Sequence, residues 1–382
     1  MKTKGIEMKR KIKLTYIFSH HIRWVAFEWA AKYIDRSKFE IDFIILKEDD
    51  PMIDFLTRFN IPYKATSYTN LDETPEVVKF IYDHLVANQT DVVHTHFTGD
   101  LPGLQAAYFA DVPVRIHTTH HAGVKWKRHP RSRYELFWAL STNIIAITVR
   151  QKEGMISDGV PEHKITVIPH GFDIKEFEDV AFDRIEKLRT KYLNNHSGPV
   201  IGVASRYIEV KGIKYIIEAH KKVLSSHPNA TLLLSGTHAD NANIKDKLAE
   251  LPLHSYVEIY FEDDLFALFR LFDVFVHVPI HPDREAFGQV YIEAMLSEVP
   301  SVITRAGIAH EYALHKENAW IVDYKNSEQI AEGILALLQD KPLREKIIKN
   351  ALACAKNYRI ENQIRGFEEL YLQQLKKMNL LK

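Results

Sequence analysis

The chain has 382 residues, and its 50 lysines and arginines balance 50 aspartates and glutamates. With 46% hydrophobic and 26% charged residues it has an ordinary globular composition, which excludes a disordered chain and a strongly basic nucleic-acid binder. The length exceeds the ~250 to 300 residues at which one core tends to split, so two domains are expected, and the single cysteine, Cys354, excludes an intrachain disulfide framework and suits a reducing, cytoplasmic compartment.

The chain begins MKTKGIEMKRKIKLTYIFSHH, a basic start whose apolar run ends after a few residues at His20 and His21. That run is too short for a signal peptide, and no later segment approaches the ~18 uninterrupted apolar residues of a membrane span. Short apolar runs then alternate with segments of 3.6-residue period, the pattern of strands and crossover helices in a parallel sheet. Strands are expected at 13–18, 41–46, 91–95, 114–118, 144–148 and 166–168, with helices at 24–34, 52–60, 75–88, 101–110 and 134–139. Ligands of such sheets bind beyond the carboxyl ends of strands, so the residues just after each strand are the ones that matter.

Several of these loops carry histidine. Ser19-His20-His21 follows the first strand. DVVHTHFTGD puts His94 and His96 on one face by the two-residue period, and His117, His120 and His121 follow the next strand. A metal centre is one reading, but no carboxylate or cysteine completes a ligand set. Polar residues lining a cleft at the sheet's end are the better expectation. Next, VKWKRHPRSRYELFW interleaves Lys125, Lys127, Arg128, Arg131 and Arg133 with Trp126 and Trp138. This is either a solvated basic loop or a surface for an anionic headgroup. Residues 1–170 hold 23 lysines and arginines against 20 acids, which supports only a weak membrane-surface contact.

The second half begins again with strand and helix. PVIGVASRYIEVKGIKYIIEAHKKV places Arg206 after a strand and Lys211-Gly212 before a helix, and ATLLLSGTHAD is a strand with its turn at Gly236. Residues 256–261 read as a further strand. Glu262-Asp263-Asp264 looks like a metal-binding triplet but fits better as the cap of the helix that starts there.

The stretch around which the rest is organised is REAFGQVYIEAMLSEVP. Seven residues separate Glu285 from Glu293, with Phe287-Gly288 among them and a helix expected at 289–298. A glycine at the mouth of a helix lets a ligand approach the first free amides, which carry about half a positive charge, so this is a phosphate site. Glu293 falls about five residues into the helix, ~7.5 Å along its axis, where a half-buried carboxylate needs donors that ribose hydroxyls supply. The bland alternative is an amphipathic helix with two solvated acids. An amphipathic helix, 360–376, ends the chain.

Taken in order, these segments resemble the retaining, nucleotide-sugar-dependent glycosyltransferases of family 4 (glycosyl transferases group 1). The motifs that carry the resemblance are the Glu-x7-Glu pair, Arg206 with Lys211-Gly212, Thr118-x-His120, and Ile168-Pro169-His170-Gly171-Phe172-Asp173. The sequence departs from the family where Ser19-His20-His21 replaces a Gly-Gly loop, where His170 replaces Asn, at Ala306 of a second Gly-Gly pair, and at Ala319. The resemblance implies an α/β GT-B fold, two Rossmann-like doubly wound parallel-sheet domains facing a central cleft. Residues 1–171 would bind the acceptor, with 360–382 crossing back onto them, and 172–359 would bind the donor.

It further implies a catalytic set of His120, Glu285, Arg206 and Lys211. The donor would meet Arg206, Lys211 and Gly236, the loop Glu285, Ala286, Phe287 and Gly288, and Gln289, Val290 and Glu293 of the helix. His20, His21, His121, Lys125 and Trp126 would meet the acceptor. The expected donor is a UDP- or GDP-sugar, the acceptor a glycan, a lipid-linked or a small molecule, the setting polysaccharide or glycoconjugate synthesis at the inner membrane face, and no metal is required. Two other readings stay open: a non-hydrolysing nucleotide-sugar epimerase, and a non-catalytic sugar-nucleotide-binding protein. A dehydrogenase is disfavoured, because no strand-to-helix turn carries Gly-x-Gly-x-x-Gly.

Overall fold

A computed structural model describes residues 10–18, 25–46, 48–66, 74–96, 101–120, 131–194, 196–236 and 242–381. Contacts divide the chain into two compact units, Met1–Phe172 with Ile360–Lys382, and Asp173–Arg359.

In the first unit the apolar runs become β1 (Ile12–Phe18), β2 (Phe39–Ile45), β3 (Tyr63–Ala65), β4 (Val92–Thr95), β5 (Val114–Thr119), β6 (Asn143–Ala146) and β7 (Ile165–Val167). They form one parallel sheet in the order β3-β2-β1-β4-β5-β6-β7. The crossovers are α1 (Val25–Tyr33), α2 (Met52–Arg58), α3 (Pro75–Asn88), α4 (Leu101–Phe109), α5 (Arg131–Leu140) and α6 (Val149–Ser157). The ends of α3 are locally encoded: Thr74 caps the Val77 amide, Pro75 occupies the first turn, and Gln89 stops the helix in the left-handed region. The run expected to be a strand to Thr148 ends at Ala146, because Thr148 instead caps α6 through the Gln151 amide. Sequence periodicity missed α6, whose polar VRQKEGMIS lacks a continuous apolar stripe, and the three-residue β3, whose first two residues are exposed.

The second unit contains α7 (Ile174–Glu178), α8 (Phe182–Leu193), β8 (Val200–Ala204), α9 (Ile213–Ser226), β9 (Thr231–Ser235), α10 (Ala242–Leu248), β10 (Tyr256–Ile259), α11 (Leu265–Phe269), β11 (Val274–His277), α12 (Gln289–Leu296), β12 (Ser301–Ile303), α13 (Ala309–Tyr312), β13 (Trp320–Ile321), α14 (Ser327–Gln339) and α15 (Lys341–Ala355). Its strands are all parallel, in the order β10-β9-β8-β11-β12-β13. Both faces are apolar: Val203, Ile217, Leu232 and Val276 pack on one side, and Leu233, Phe269, Phe272 and Phe275 on the other. Chain order reverses at β8, between β9 and β11, so the loops after β8 and β11 open at the switch point where such sheets bind ligands.

The terminal helix α16 (Ile360–Lys377) belongs to the first unit. It buries Ile364, Phe367, Leu370 and Leu375, and the Gln363 side-chain oxygen accepts the Gly171 amide at 2.9 Å. Among the described residues no helix is long and apolar enough to cross a membrane.

Candidate functional site

The loop after β8 carries Arg206, exposed at the strand end, and Lys211, which stands at the turn into α9. That turn is made by Gly212 at φ +73°, where a Cβ would sit 2.1 Å from the Val278 carbonyl oxygen. Only glycine lets the two switch-point loops touch, and the Ile280 amide fixes them by donating to Val210 at 3.0 Å. The contact brings Lys211 to Glu285: Nζ lies 2.6 Å from Oε2, with both side chains largely buried. His277, the last residue of β11, approaches the same oxygen through Nε2 at 2.9 Å. Burial pushes the Glu285 carboxyl upward, but the His277 hydrogen bond and the charge of Lys211 outweigh it and hold the group at about 2. Burial also lowers the imidazole of His277, so a neutral ring donates Nε2–H to a carboxylate.

Gly288 at φ +80° precedes α12 as its N-cap and, being glycine, offers no side chain to cap the first amides of that helix. Glu293 is the fifth residue of α12, half-buried, and burial alone raises its carboxyl to about 7. The helix ends at Leu296, earlier than the expected 298, because Ser297 leaves helical geometry and Glu298 turns to φ +58°. Gly236, at φ +102°, lies behind the Arg206 loop, where a Cβ would meet the Ser205 carbonyl oxygen at 2.7 Å. The second unit thus gathers Lys211, Glu285 and Gly288 at the switch point, with Glu293 further along the same helix. Ala286 and Gln289 are half-buried beside them.

Phe287 and Val290 of the expected donor set have their side chains in packing contacts. Phe287 is buried and meets the Tyr358 ring edge-on, so its side chain belongs to packing, and its carbonyl accepts the Ile308 amide at 2.9 Å. Val290 packs against the core around Phe269 and Ala294. Of the acidic triplet, Asp264 caps α11 through the Ala267 amide and pairs with Arg184 in two hydrogen bonds of 2.8 and 2.6 Å, while Glu262 takes the Tyr192 hydroxyl. β10 stops at Ile259, leaving Tyr260 and Phe261 exposed beyond it.

In the first unit His120 is half-buried and stacks on His170, centroids 5.2 Å apart and planes 11° apart, with His96 at 5.6 Å on another side. His96, Thr118, His120, His170 and Gln363 line a cavity of about 20 Å³, room for one water. Burial lowers His170 to about 4 and His96 well below its ordinary value. His94 does not line an opening. It is fully buried under α16, bonded to Tyr371 Oη at 2.5 Å and Thr118 Oγ1 at 2.7 Å, because the returning helix covers this face of the sheet. Among the described residues no group of three or more His, Cys, Asp or Glu is placed to hold a metal. His20, His21, His121, Lys125 and Trp126 lie outside the described residues.

Sequence reasoning missed His277. Its signal was available: a histidine ending the strand DVFVH, one loop before Glu285.

Comparison with known proteins covers both units. The sequence model for Glycosyl transferases group 1 matches residues 184–353, and that for Glycosyltransferase Family 4 matches residues 27–176. The capsular polysaccharide biosynthesis glycosyltransferase CapM of Staphylococcus aureus is 31% identical over 278 residues, 69% of this chain and 70% of that protein. The D-inositol 3-phosphate glycosyltransferase of Corynebacterium urealyticum is 24% identical over 83% of this chain and 77% of that protein. Anabaena HepE, solved with UDP and glucose, superimposes with a TM-score of 0.79 at 21% identity, over 95% of this chain and 100% of that one, a likeness of fold. The chain belongs to the group 1, family 4 glycosyltransferases and is a transferase enzyme of the GT-B fold.

Proposed function

We propose that the enzyme binds a nucleoside diphosphate sugar, UDP- or GDP-linked, on its second unit and transfers the sugar with retention to a glycan, lipid-linked or small-molecule acceptor held by the first. The observation that carries this reading is the convergence of Lys211, Glu285 and the uncapped mouth of α12 at Gly288, with Glu293 one turn further along. The diphosphate sits over the helix mouth and Lys211, and the ribose hydroxyls donate to Glu293. As the bond from the sugar C1 to the phosphate oxygen breaks, negative charge grows on the diphosphate, and Arg206, Lys211 and the helix amides stabilise it without reorganising. These groups fill the role a metal has elsewhere, so no metal is required. His120 faces the transferred sugar, and His20, His21, His121, Lys125 and Trp126 meet the acceptor. The reading places the enzyme in cell-surface polysaccharide or glycoconjugate synthesis, in keeping with the relative named for capsular polysaccharide, and with a weak membrane-surface contact on its cytoplasmic side.

The test is thermal shift against UDP-, GDP-, ADP- and CMP-sugars, where a ligand at about 100 times its Kd adds ~2.7 kcal/mol. A shift with a UDP- or GDP-sugar supports the reading, and none with any donor overturns it. Incubation with donor alone separates an epimerase, which yields an isomerised sugar nucleotide, and NMR of the transfer product decides the stereochemistry, since inversion at C1 refutes retention.

A further inference from the structure

Two donors crowd one oxygen of Glu285. Lys211 Nζ and His277 Nε2 both end on Oε2, at 2.6 and 2.9 Å, and among the described residues no group donates to Oε1. The imidazole has little freedom. It is 2% exposed, lies parallel to Phe275 at 6.2 Å, and meets the Tyr291 ring at 4.8 Å and 81°. Tyr291 is itself buried, with its hydroxyl donating to the Thr304 carbonyl. The ring is thus held by the sheet and by α12, the helix that Gly288 opens. The charged and titratable groups facing it are Glu285, Lys211 and Tyr291.

We propose that His277 is a positioning residue for sugar transfer: by clamping Oε2 of Glu285 from the sheet side it fixes where the Lys211 ammonium stands and leaves Oε1 as the open acceptor of the loop. This deepens the donor-site reading and rests on it. A carboxylate on a loop has two oxygens that exchange by rotation about its last torsion, and a neutral Nε2–H donor on a rigid strand selects one of them. A flexible lysine alone does not, because its ammonium follows whichever oxygen turns toward it.

The experiment compares wild type with His277→Gln, His277→Asn and His277→Leu, measuring donor affinity, kcat, KM and Tm. Gln carries its amide nitrogen near the position of Nε2, whereas Asn is too short to reach Oε2. His277→Leu and His277→Asn are expected to lose about 100-fold in kcat/KM, mostly in kcat, the loss a misplaced reacting group brings. His277→Gln recovers most of the loss. The inference is overturned if folded Gln and Asn variants behave alike, or if the losses in the Leu and Asn variants fall on KM while kcat stays at its wild-type value. Should wild type bind no donor, the donor-site reading fails first, and this inference with it.

Discussion

The ring of Tyr291 stands where a side chain on residue 288 would have to go: a Cβ built on Gly288 lies 2.5 Å from Cε2 of that ring. Tyr291 is 1% exposed and tied to the Thr304 carbonyl, so it cannot swing clear. Gly288→Ala also forces an L-residue to φ +80°. Strain and overlap together are expected to cost about 3 kcal/mol. Denaturant titration measures the loss, and donor titration is expected to show binding abolished, since the mouth of α12 is displaced.

Lys211 and Arg206 separate on stability. Lys211→Ala removes the ammonium from a largely buried Glu285, which costs about 3 kcal/mol. Arg206 is exposed and pairs with no described carboxylate, so Arg206→Ala leaves Tm unchanged within error. Both variants are expected to lose ~100- to 1,000-fold in kcat, the usual cost of removing one preorganised donor from a developing oxyanion. Steady-state kinetics alongside calorimetry check the contrast.

Glu293 gives donor affinity a pH dependence of defined sign. Its carboxyl is raised to about 7 by burial, so the folded protein takes up a proton there that the unfolded chain does not hold above its ordinary value. Stability from this group is present at low pH and is lost as pH rises toward 7, and Glu293→Gln is expected to stabilise the ligand-free protein at pH 8 by about 2 kcal/mol. Hydroxyls that donate to the ionised carboxylate reverse the preference. Donor affinity should therefore increase from pH 6 to pH 8 in wild type and stay flat in Glu293→Gln, as read by calorimetric titration.

Tyr371 ties the terminal helix to the first sheet through His94, with Tyr16 Oη 3.3 Å from the same hydroxyl. Tyr371→Phe removes the partner of His94 Nδ1 without opening a cavity larger than an oxygen. The expected cost is about 2 kcal/mol from leaving a buried polar atom unpaired. Urea denaturation measures it, and an unchanged midpoint would mean the ring nitrogen finds another partner.

The sequence by itself determined the strand-and-crossover pattern of both halves, because a parallel sheet buried on two faces demands short apolar runs, and it located Gly288 and Glu293 because a helix mouth and a position one turn inside it are matters of local spacing. It also marked Asp264 as a cap and Pro75 as a helix start. What spacing along the chain cannot express is which side chains meet. The tertiary structure alone decided that Lys211 reaches Glu285 across 74 positions, that His277 shares the same oxygen, and that His94 lies under the returning helix while His120 stacks on His170. The meeting of Lys211, Glu285 and His277 follows from strand order, which puts β8 beside β11 and brings their loops together, and strand order is set by the packing of whole layers.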